Sequence, residues 1–364
     1  MKRYTPVIEC LTVAAALAVG VAPISPTTIE RWFSTGVYPA LQRHLTPLSN
    51  LLPFAVLDLI ALVGCAAIAV TVVRVAYTAR KTRRVLPVFR ALGHVTFAAA
   101  LVYLAFLMLW GFNYRRVPMV DRLVMDAGAP TPQAVTALGL EAATQLNTLH
   151  EEAHRTGWGE GSWDDETFRA AFASAQQAVS DAPTAEPGRL KRTMFGPYFR
   201  WTSVDGMVNP FGLEVLANPD LLPFERPFVA AHEWSHLAGY ADEAEASFVG
   251  FLSCMRAGVP ARYSGWLFMY WQVSGNVDVA DRARVADALG AGPRRDIEAI
   301  AERLRRGQLP WLRAAGWRVY DQYLKANRVE EGVRSYAAVV SLILQARFAP
   351  GWIPIRQTAA PPNS

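Results

Sequence analysis

The run of residues 227–239 carries the side chains with the clearest chemistry. His232, Glu233 and His236 follow the spacing H-E-x-x-H. Residues four apart lie on one face of an α-helix, so each imidazole can direct a ring nitrogen at a shared metal ion. Glu233 lies one position from the first histidine, where its carboxylate can accept a proton from water instead of binding the metal. The pattern indicates the core of a zinc-dependent hydrolase.

The same run has the signals of a complete, buried helix. Pro227 suits the first turn, where a backbone N–H would have no helical partner, and Gly239 suits a left-handed stop. Charges are scarce in the interior of a protein, and the neighbours of the histidines are uncharged. They are Ala230, Ala231, Trp234, Ser235 and Leu237.

A second H-E-x-x-H pattern occurs at His150–His154. Its flanks are polar, because Glu152 and Arg155 surround the histidines and the run 156–161 follows. We therefore expect a solvated helix end there and no functional metal ion.

A catalytic zinc site needs a third protein ligand, and acids follow the histidine helix. A second helix is expected from Asp242 to Arg256. Glu243 and Glu245 both lie on it and alternate with alanines, so they point to different faces. One of the two can supply the third protein ligand of the metal site.

The composition indicates a membrane protein. The chain is 52% hydrophobic with a mean hydropathy of +0.14. The excess lies in three apolar segments, 7–24, 53–73 and 92–112, which we predict as transmembrane helices. The first could instead be a cleaved signal peptide, but we prefer a retained helix. Residues 1–112 are then a membrane anchor, and residues 113–364 form a second domain.

The orientation follows from basic residues between the second and third segments. No acidic residue interrupts the set Arg74, Arg80, Lys81, Arg83, Arg84 and Arg90. Basic loops stay in the cytoplasm, so the N-terminus with Lys2 and Arg3 is expected inside and residues 113–364 outside. Integral insertion in a bacterial cell membrane is the expected localisation.

Charge and cysteine usage exclude two other classes. The net charge of +5 comes from the anchor, and the basic residues of the second domain are mixed with acids, so we expect no nucleic-acid partner. Cys10, Cys65 and Cys254 are scattered, and form neither a disulfide framework nor a thiolate zinc site.

The second domain is expected to be helix-rich with a small β element. Four stretches have helical character: 131–155, 164–180, 280–306 and 336–348. The stretches 198–204 and 212–216 are strand-like, with turn signals at 205–206 and 209–210. Such a hairpin could pair with an extended peptide substrate or could simply cover the core.

The chain resembles an uncharacterised bacterial membrane-protein family, the domain of unknown function numbered 3810. The motifs that carry this resemblance are Tyr38-Pro39, Pro53-Phe54, Asn209-Pro210-Phe211 with Glu214, Pro227–Gly239, Glu243, Glu245-Ala246, Phe248, Tyr323–Asn327 and Gly332–Tyr336. The resemblance implies a mainly α membrane protein with three N-terminal transmembrane helices, followed by an extracytoplasmic zincin-like α+β domain.

The chain is more distantly similar to the gluzincin metallopeptidases. In that group an acid-rich pattern on the helix after the histidines opens with the third ligand, and the run 243–247 resembles it with Glu243 in the ligand place. Ser247 stands where gluzincins often have an aspartate that supports the histidines. A competing register resembles the metzincin pattern and would make Asp242 the ligand. We take Glu243 as the third ligand, with Asp242 and Glu245 as alternatives.

The expected function is that of a membrane-anchored zinc metallopeptidase with Zn²⁺ bound by His232, His236 and Glu243. Glu233 is the general base, and Tyr263 and Tyr270 are candidates for stabilising the oxyanion. The expected substrate is a peptide or protein near the membrane surface, and the anchor contacts membrane lipid. Two alternatives are a membrane-anchored binding or scaffold protein with a structural or vestigial zinc site, and a zinc hydrolase of a non-peptide envelope amide.

The predicted orientation can be tested with reporter fusions. A reporter that is active only outside the cytoplasm should work when fused after Val120 and fail within the Arg80–Arg84 loop, because the basic loop stays inside. The opposite pattern of activity would contradict the extracytoplasmic assignment.

Overall fold

The computed structural model of the protein describes residues 5–159, 165–327 and 338–357. Lys2, Arg3 and the run Gly332–Tyr336, which contributed to the sequence interpretation, lie outside these residues. Most of the described chain is helical, and two small sheets complete it. The expected combination of many helices with a small β element is confirmed.

The N-terminal part consists of helices. They are α1 (Thr5–Val21), α2 (Pro26–Ile29), a π-helix (Glu30–Val37), α3 (Tyr38–Leu51), α4 (Val56–Thr82) and α5 (Leu86–Leu109). Within the described residues, α4 and α5 are long and apolar enough to cross a membrane. Only a turn at 83–85 separates them, so several of the predicted loop arginines lie on the helices themselves.

The prediction of three clear spans is only partly supported. Helix α1 has 17 residues and is too short to count as a candidate span by itself. It qualifies only together with residues 26–51, across a bend of 112°. The sequence explains the bend, because Pro23 and Pro26 lack the backbone N–H that would continue the helix. The described residues thus contain two candidate spans, or three if this bent pair counts as one.

The remaining helices follow two 3₁₀ turns at Gly111–Arg115 and Met119–Asp121. They are α6 (Pro132–Thr156), α7 (Glu166–Val179), α8 (Gly196–Thr202), α9 (Arg226–Leu237), α10 (Glu243–Met255), α11 (Val259–Ser274), α12 (Val279–Asp287), α13 (Ala291–Gly307), α14 (Pro310–Ala326) and α15 (Ala338–Gln345). The helices expected at 131–155 and 164–180 are confirmed. The helix expected at 280–306 is two helices that break before Gly290, and the one expected at 336–348 ends at Gln345.

The strands form two sheets. They are β1 (Leu190–Lys191), β2 (Gly206–Asn209), β3 (Glu214–Ala217), β4 (Phe348–Ala349) and β5 (Ile353–Pro354). In the larger sheet the order is β1-β3-β2, with β1 parallel and β2 antiparallel to β3. β2 is therefore an edge strand. Strand β3 matches the second predicted strand within two residues.

The predicted strand at 198–204 is wrong, because most of that stretch is helix α8. Pro197 occupies the first turn, and Ser203 ends the helix in the left-handed conformation at φ 57°. Phe199 and Thr202 are buried, and their spacing of three is that of one helical face. Aromatic and β-branched residues favour strands only weakly, and tertiary packing overrides that preference here.

Helix α9 lies at the centre of the core. Trp234 on this helix is fully buried, and its ring centroid lies 5.3 Å from that of Phe168 and 5.5 Å from that of Phe172 on α7. Helices α10 and α11 pack on other sides of α9. The apolar run 264–271 belongs to α11, where Trp266 and Met269 are core residues.

Hydrogen bonds link the N-terminal segment to the rest of the protein. The Tyr38 hydroxyl donates to the carbonyl of Leu237 at 2.8 Å, and the Thr46 hydroxyl donates to the carbonyl of Leu213 at 2.8 Å. Both donors lie on α3. The domain boundary expected at residue 112 stays a prediction, and hydrogen bonds join the parts of the chain on either side of it.

Glu214 links the N-terminal segment to the rest of the protein through several contacts of one carboxylate. Its carboxylate is fully buried and accepts hydrogen bonds from the first N–H groups of α4, at Val56 and Leu57, and from Asn209. Lys191 forms an ion pair with it at 2.9 Å. Burial alone would raise the pKa of Glu214, but these donors outweigh burial and lower it. One carboxylate therefore joins the start of a candidate span to all three strands of the larger sheet.

Glu214→Gln should destabilise the full-length protein by about 3 kcal/mol, because it leaves Lys191 buried without its counter-charge. The measurement is thermal unfolding in detergent, with exposed Glu302→Gln as the control that should leave the melting temperature nearly unchanged. Since the folded-state pKa is lowered, this stabilisation is present above the ordinary pKa of glutamate. It should disappear as the pH falls below about 4. Equal melting temperatures of wild type and Glu214→Gln at neutral pH would show that Glu214 is not the stabilising counter-charge that we expect.

Candidate metal centre

Helices α9 and α10 bring the predicted ligands together. They approach closely at Gly250, where a Cβ atom would lie 3.1 Å from the backbone nitrogen of His232. That approach places Glu243, at the start of α10, beside both histidines of α9. The sequence-predicted set His232, His236 and Glu243 therefore forms one group that could hold a metal ion.

The three facing atoms form a nearly equilateral triangle. Nε2 of His232 lies 3.2 Å from Nε2 of His236, and Oε2 of Glu243 lies 3.3 Å and 3.4 Å from them. Tetrahedral zinc with bonds of about 2.0–2.1 Å to nitrogen and oxygen separates its ligand atoms by about 3.3–3.4 Å. Oε2 of Glu243 is buried and makes no hydrogen bond among the described residues. The donor set and its spacing both fit zinc.

Neighbouring groups fix the orientation of each ligand. Nδ1 of His236 lies 2.7 Å from the Tyr240 carbonyl, which can only accept, so Nδ1 carries the proton and Nε2 is free to bind a metal. Nδ1 of His232 lies 3.2 Å from the Ser247 hydroxyl. Ser247 thus contacts one of the two histidines directly.

The third ligand is oriented by a residue that the sequence did not reveal. The Tyr320 hydroxyl on α14 donates to Oε1 of Glu243. Tyr323, one turn further on, stacks beside Tyr320 with ring centroids 6.0 Å apart. Burial raises the pKa of Tyr323 to about 12, so its hydroxyl stays protonated and can donate. Tyr323 belongs to a motif of the family resemblance, which was the only sequence signal for this helix.

The carbonyl groups at the end of α9 accept hydrogen bonds from side chains of the N-terminal segment. The indole N–H of Trp110 donates to the His236 carbonyl at 3.0 Å, and Arg116 donates to the Gly239 carbonyl at 2.9 Å. Gly239 has φ +85°, as expected for a helix stop. Arg116 is held in turn by an ion pair with Glu30 at 2.7 Å.

The alternative third ligands have other roles. Asp242 is the N-cap of α10, and its Oδ1 accepts from the N–H groups of Ala244 and Glu245. The Glu245 carboxylate accepts from the N–H of Met119 and lies 3.7 Å from Arg122. The structure therefore brings only Glu243, among the three acids considered, to the histidines.

Glu233 is buried beside the ligands and faces the edge strand. A Cβ atom at Gly206 on β2 would lie 2.5 Å from Oε1 of Glu233, so a larger residue there would displace the carboxylate. Oε2 of Glu233 makes no hydrogen bond to any described residue. The pKa of Glu233 is raised to about 8, mainly by burial; the charge of His236 lowers it and the charge of Glu243 raises it. A carboxyl group with a pKa near neutrality is suited to accept and release protons.

The charges of His236 and Glu243 depend on each other. Burial lowers the pKa of His236, but the Glu243 carboxylate more than compensates and raises it to about 9. Burial raises the pKa of Glu243, but the imidazoles outweigh it and hold that pKa well below the ordinary value. The buried Glu243 carboxylate is thus paired with a protonated imidazole, and a bound metal ion would take the place of that proton.

The two tyrosines proposed for oxyanion stabilisation lie elsewhere. The Tyr263 hydroxyl donates to Oδ2 of Asp296, and nothing in the described contacts brings Tyr270 to the metal-ligand group. Both expectations are therefore unsupported. Helix α11 turns the Tyr263 side chain toward Asp296 on α13.

The second H-E-x-x-H pattern is also part of a group, which the sequence did not predict. Nε2 of His154 lies 2.8 Å and Nε2 of His150 lies 3.7 Å from Oδ2 of Asp296 on α13. This group could also hold a metal ion. Its distances are unequal, however, and 2.8 Å is that of a direct hydrogen bond. Trp158 beyond it is buried, so the expected solvated helix end is wrong at that residue.

In the described residues, the fold and site define a helical protein with two or three candidate membrane spans and a largely buried His-His-Glu group. By its match to a family model over residues 33–344, the chain belongs to the family described as Protein of unknown function (DUF3810). No curated protein and no solved structure matches the chain. The family assignment from sequence is confirmed, and the more distant similarity to gluzincins stays a prediction.

Zinc content should separate the two histidine groups. In the full-length protein, His236→Ala and Glu243→Ala should lose bound zinc, because two protein ligands are too few for a stable catalytic-type site. The matched variants His150→Ala and Glu245→Ala should retain it. Metal analysis after dialysis, with thermal unfolding as a check of folding, measures this. Zinc loss in His150→Ala equal to that in His236→Ala would contradict the assignment.

Proposed function

We propose that the protein is a membrane-anchored zinc hydrolase that cleaves peptide bonds. The observation that carries the proposal is the triangle of donor atoms on His232, His236 and Glu243, whose sides of 3.2–3.4 Å fit tetrahedral zinc. The buried Glu233 beside the triangle supports hydrolysis over a purely structural zinc site, because structural sites have no need of a proton carrier.

The chain's own residues would divide the work as follows. His232, His236 and Glu243 would hold the ion, and Tyr320 would keep the Glu243 carboxylate in place. Zinc in this site would supply a Lewis acid that polarises the scissile carbonyl and lowers the pKa of water toward about 7. Glu233 would take a proton from the attacking water and pass it to the leaving amine as the carbon–nitrogen bond breaks.

The edge strand supports a peptide as the substrate. Strand β2 has β3 on one side only, and its first residue, Gly206, touches the Glu233 carboxylate. An extended peptide could pair with the backbone of such a strand and would then run past Glu233. Helix α9 packs against the same strand, so the ligands and the strand have a fixed spacing.

The location is part of the proposal. We infer an integral protein of the bacterial cell membrane with a cytoplasmic N-terminus and an extracytoplasmic metal site. The basic residues near the α4–α5 turn support this orientation.

Glu233→Gln should keep the shape of the side chain and remove the proton acceptor. Zinc should stay bound, while turnover of a peptide found by library screening should fall by about 10²–10⁴-fold. The measurement is zinc per chain and cleavage rate for the full-length protein in detergent. Glu302→Gln, an exposed change of the same kind, serves as the control. Full activity in Glu233→Gln would exclude the proposed mechanism, and cleavage of non-peptide amides alone would redirect the substrate class.

A further inference from the structure

Helices α8 and α14 expose large apolar side chains outside the candidate spans. Trp311 and Val319 on α14 are 69% and 72% exposed, and Tyr198 and Trp201 on α8 are each 40% exposed. We call these four residues the α8–α14 surface. A group of exposed apolar side chains of this size marks a contact with something other than water.

The two helices form one continuous surface because they are joined directly. The backbone N–H of Leu309, just before α14, donates to the carbonyl of Trp201 at 3.0 Å. Further along α14, a Cβ atom at Gly316 would lie 3.3 Å from the Tyr198 hydroxyl, so the helices touch there. The positions of Trp201 and Trp311 are fixed by the first of these contacts.

Helix α8 is attached to the first turn of α4. The Asp58 carboxylate accepts from the backbone N–H of Met194 at 3.0 Å and from the Thr193 hydroxyl, both just before α8. Phe199 on α8 packs against Ala55, the residue before α4. Helix α8 therefore lies at the level where this candidate span enters the bilayer.

Helix α14 is attached to the last turn of α5. The ring of Tyr323 lies 6.2 Å from the ring of Phe106 in an edge-to-face contact. Helices α4 and α5 are joined by a short turn, so the start of α4 and the end of α5 emerge on the same side of a membrane. Helices α8 and α14 together thus connect the ends of both spans on that side.

We propose that the α8–α14 surface lies in the interface of the bilayer that α4 and α5 cross. Tryptophan and tyrosine are enriched at that depth, because their rings are apolar and their N–H or O–H groups remain hydrated. Arg313 and Arg318 on the same helix have exposed side chains, whose aliphatic stems can lie along lipid while the guanidinium groups reach water. The bilayer is the occupant because the surface is continuous with the two spans.

This location has a consequence for the metal centre, which rests on the proposed function. Helix α14 carries Tyr320 against Glu243, so the metal centre lies directly behind a membrane-contacting helix. The substrate would then be a peptide segment close to the membrane plane, such as the region flanking a membrane anchor.

The test compares two valines of similar exposure. Val319 on α14 is 72% exposed and Val279 on α12 is 76% exposed, but α12 packs on α6 and α11, away from the spans. Each is replaced by cysteine in the full-length protein carrying Cys10→Ala and Cys65→Ala, with the buried Cys254 retained. Both are labelled with the environment-sensitive fluorophore NBD and reconstituted in phosphatidylcholine vesicles with or without a lipid that carries a shallow nitroxide quencher.

The label at Val319 should lose about half or more of its fluorescence to the nitroxide lipid, because an interfacial helix buries its apolar face by about 5–10 Å. The label at Val279 should be unaffected. Trp311→Cys provides a second position on the surface in case Val319→Cys folds poorly.

Two results would overturn the proposal. Labels at 319 and 311 whose quenching and emission wavelength both match those of the label at 279 would place the surface in water. Blue-shifted but unquenched emission at these positions would mean that protein, and not lipid, covers the surface. The measurement needs neither bound metal nor turnover, so its failure would leave the zinc hydrolase proposal untouched.

Discussion

The position of the metal-ligand helix depends on how its last carbonyl groups are hydrogen-bonded. Helix α9 ends inside the protein, and a buried carbonyl without a donor costs about 1–3 kcal/mol. Trp110, Tyr38 and Arg116 donate to the carbonyls of His236, Leu237 and Gly239, and the first of these carbonyls also accepts from the N–H of Gly239. All three side chains come from the N-terminal third of the chain. The orientation of His236 therefore relies on a folded membrane-associated segment.

Glu214 provides the matching constraint on the sheet. It accepts from the start of α4 and from Asn209 on β2, the strand that begins at Gly206 against Glu233. The candidate ligand helix and the candidate proton carrier are thus each positioned by the segment that contains the spans. A fragment without residues 38–116 would leave buried donors and acceptors unpaired at both places, so the full-length chain is the appropriate material for functional work.

The sequence was sufficient for the features that depend on local spacing. His232 and His236 share a helix face because they are four residues apart, and Pro227 and Gly239 mark the helix ends. Glu243 could be preferred over Asp242 and Glu245 only by family resemblance. The structure gives the physical reason, because Asp242 caps α10 and Glu245 bonds the backbone of Met119.

Features that depend on distant contacts could not be predicted. Tyr320 lies 77 positions from Glu243, and Asp296 lies 142 positions from His154, so no local pattern connects them. Helix α8 was predicted as a strand because its aromatic residues suit both structures, and only the burial of Phe199 against Ala55 decides between them. The prolines that follow α1 account for the bend there, whereas the apolar composition alone predicted a straight span.

The two buried glutamates of the site show how the same side chain acquires opposite properties. Burial raises the pKa of both. Two imidazoles face Glu243 and overcome that effect, so it remains ionised as a ligand should. Glu233 has Gly206 on one side and no hydrogen bond among the described residues to Oε2, so its pKa rises to about 8. A larger residue at 206 would push the carboxylate away from this position. The edge strand therefore does more than offer a backbone to a substrate, because its glycine keeps Glu233 where a proton can be exchanged.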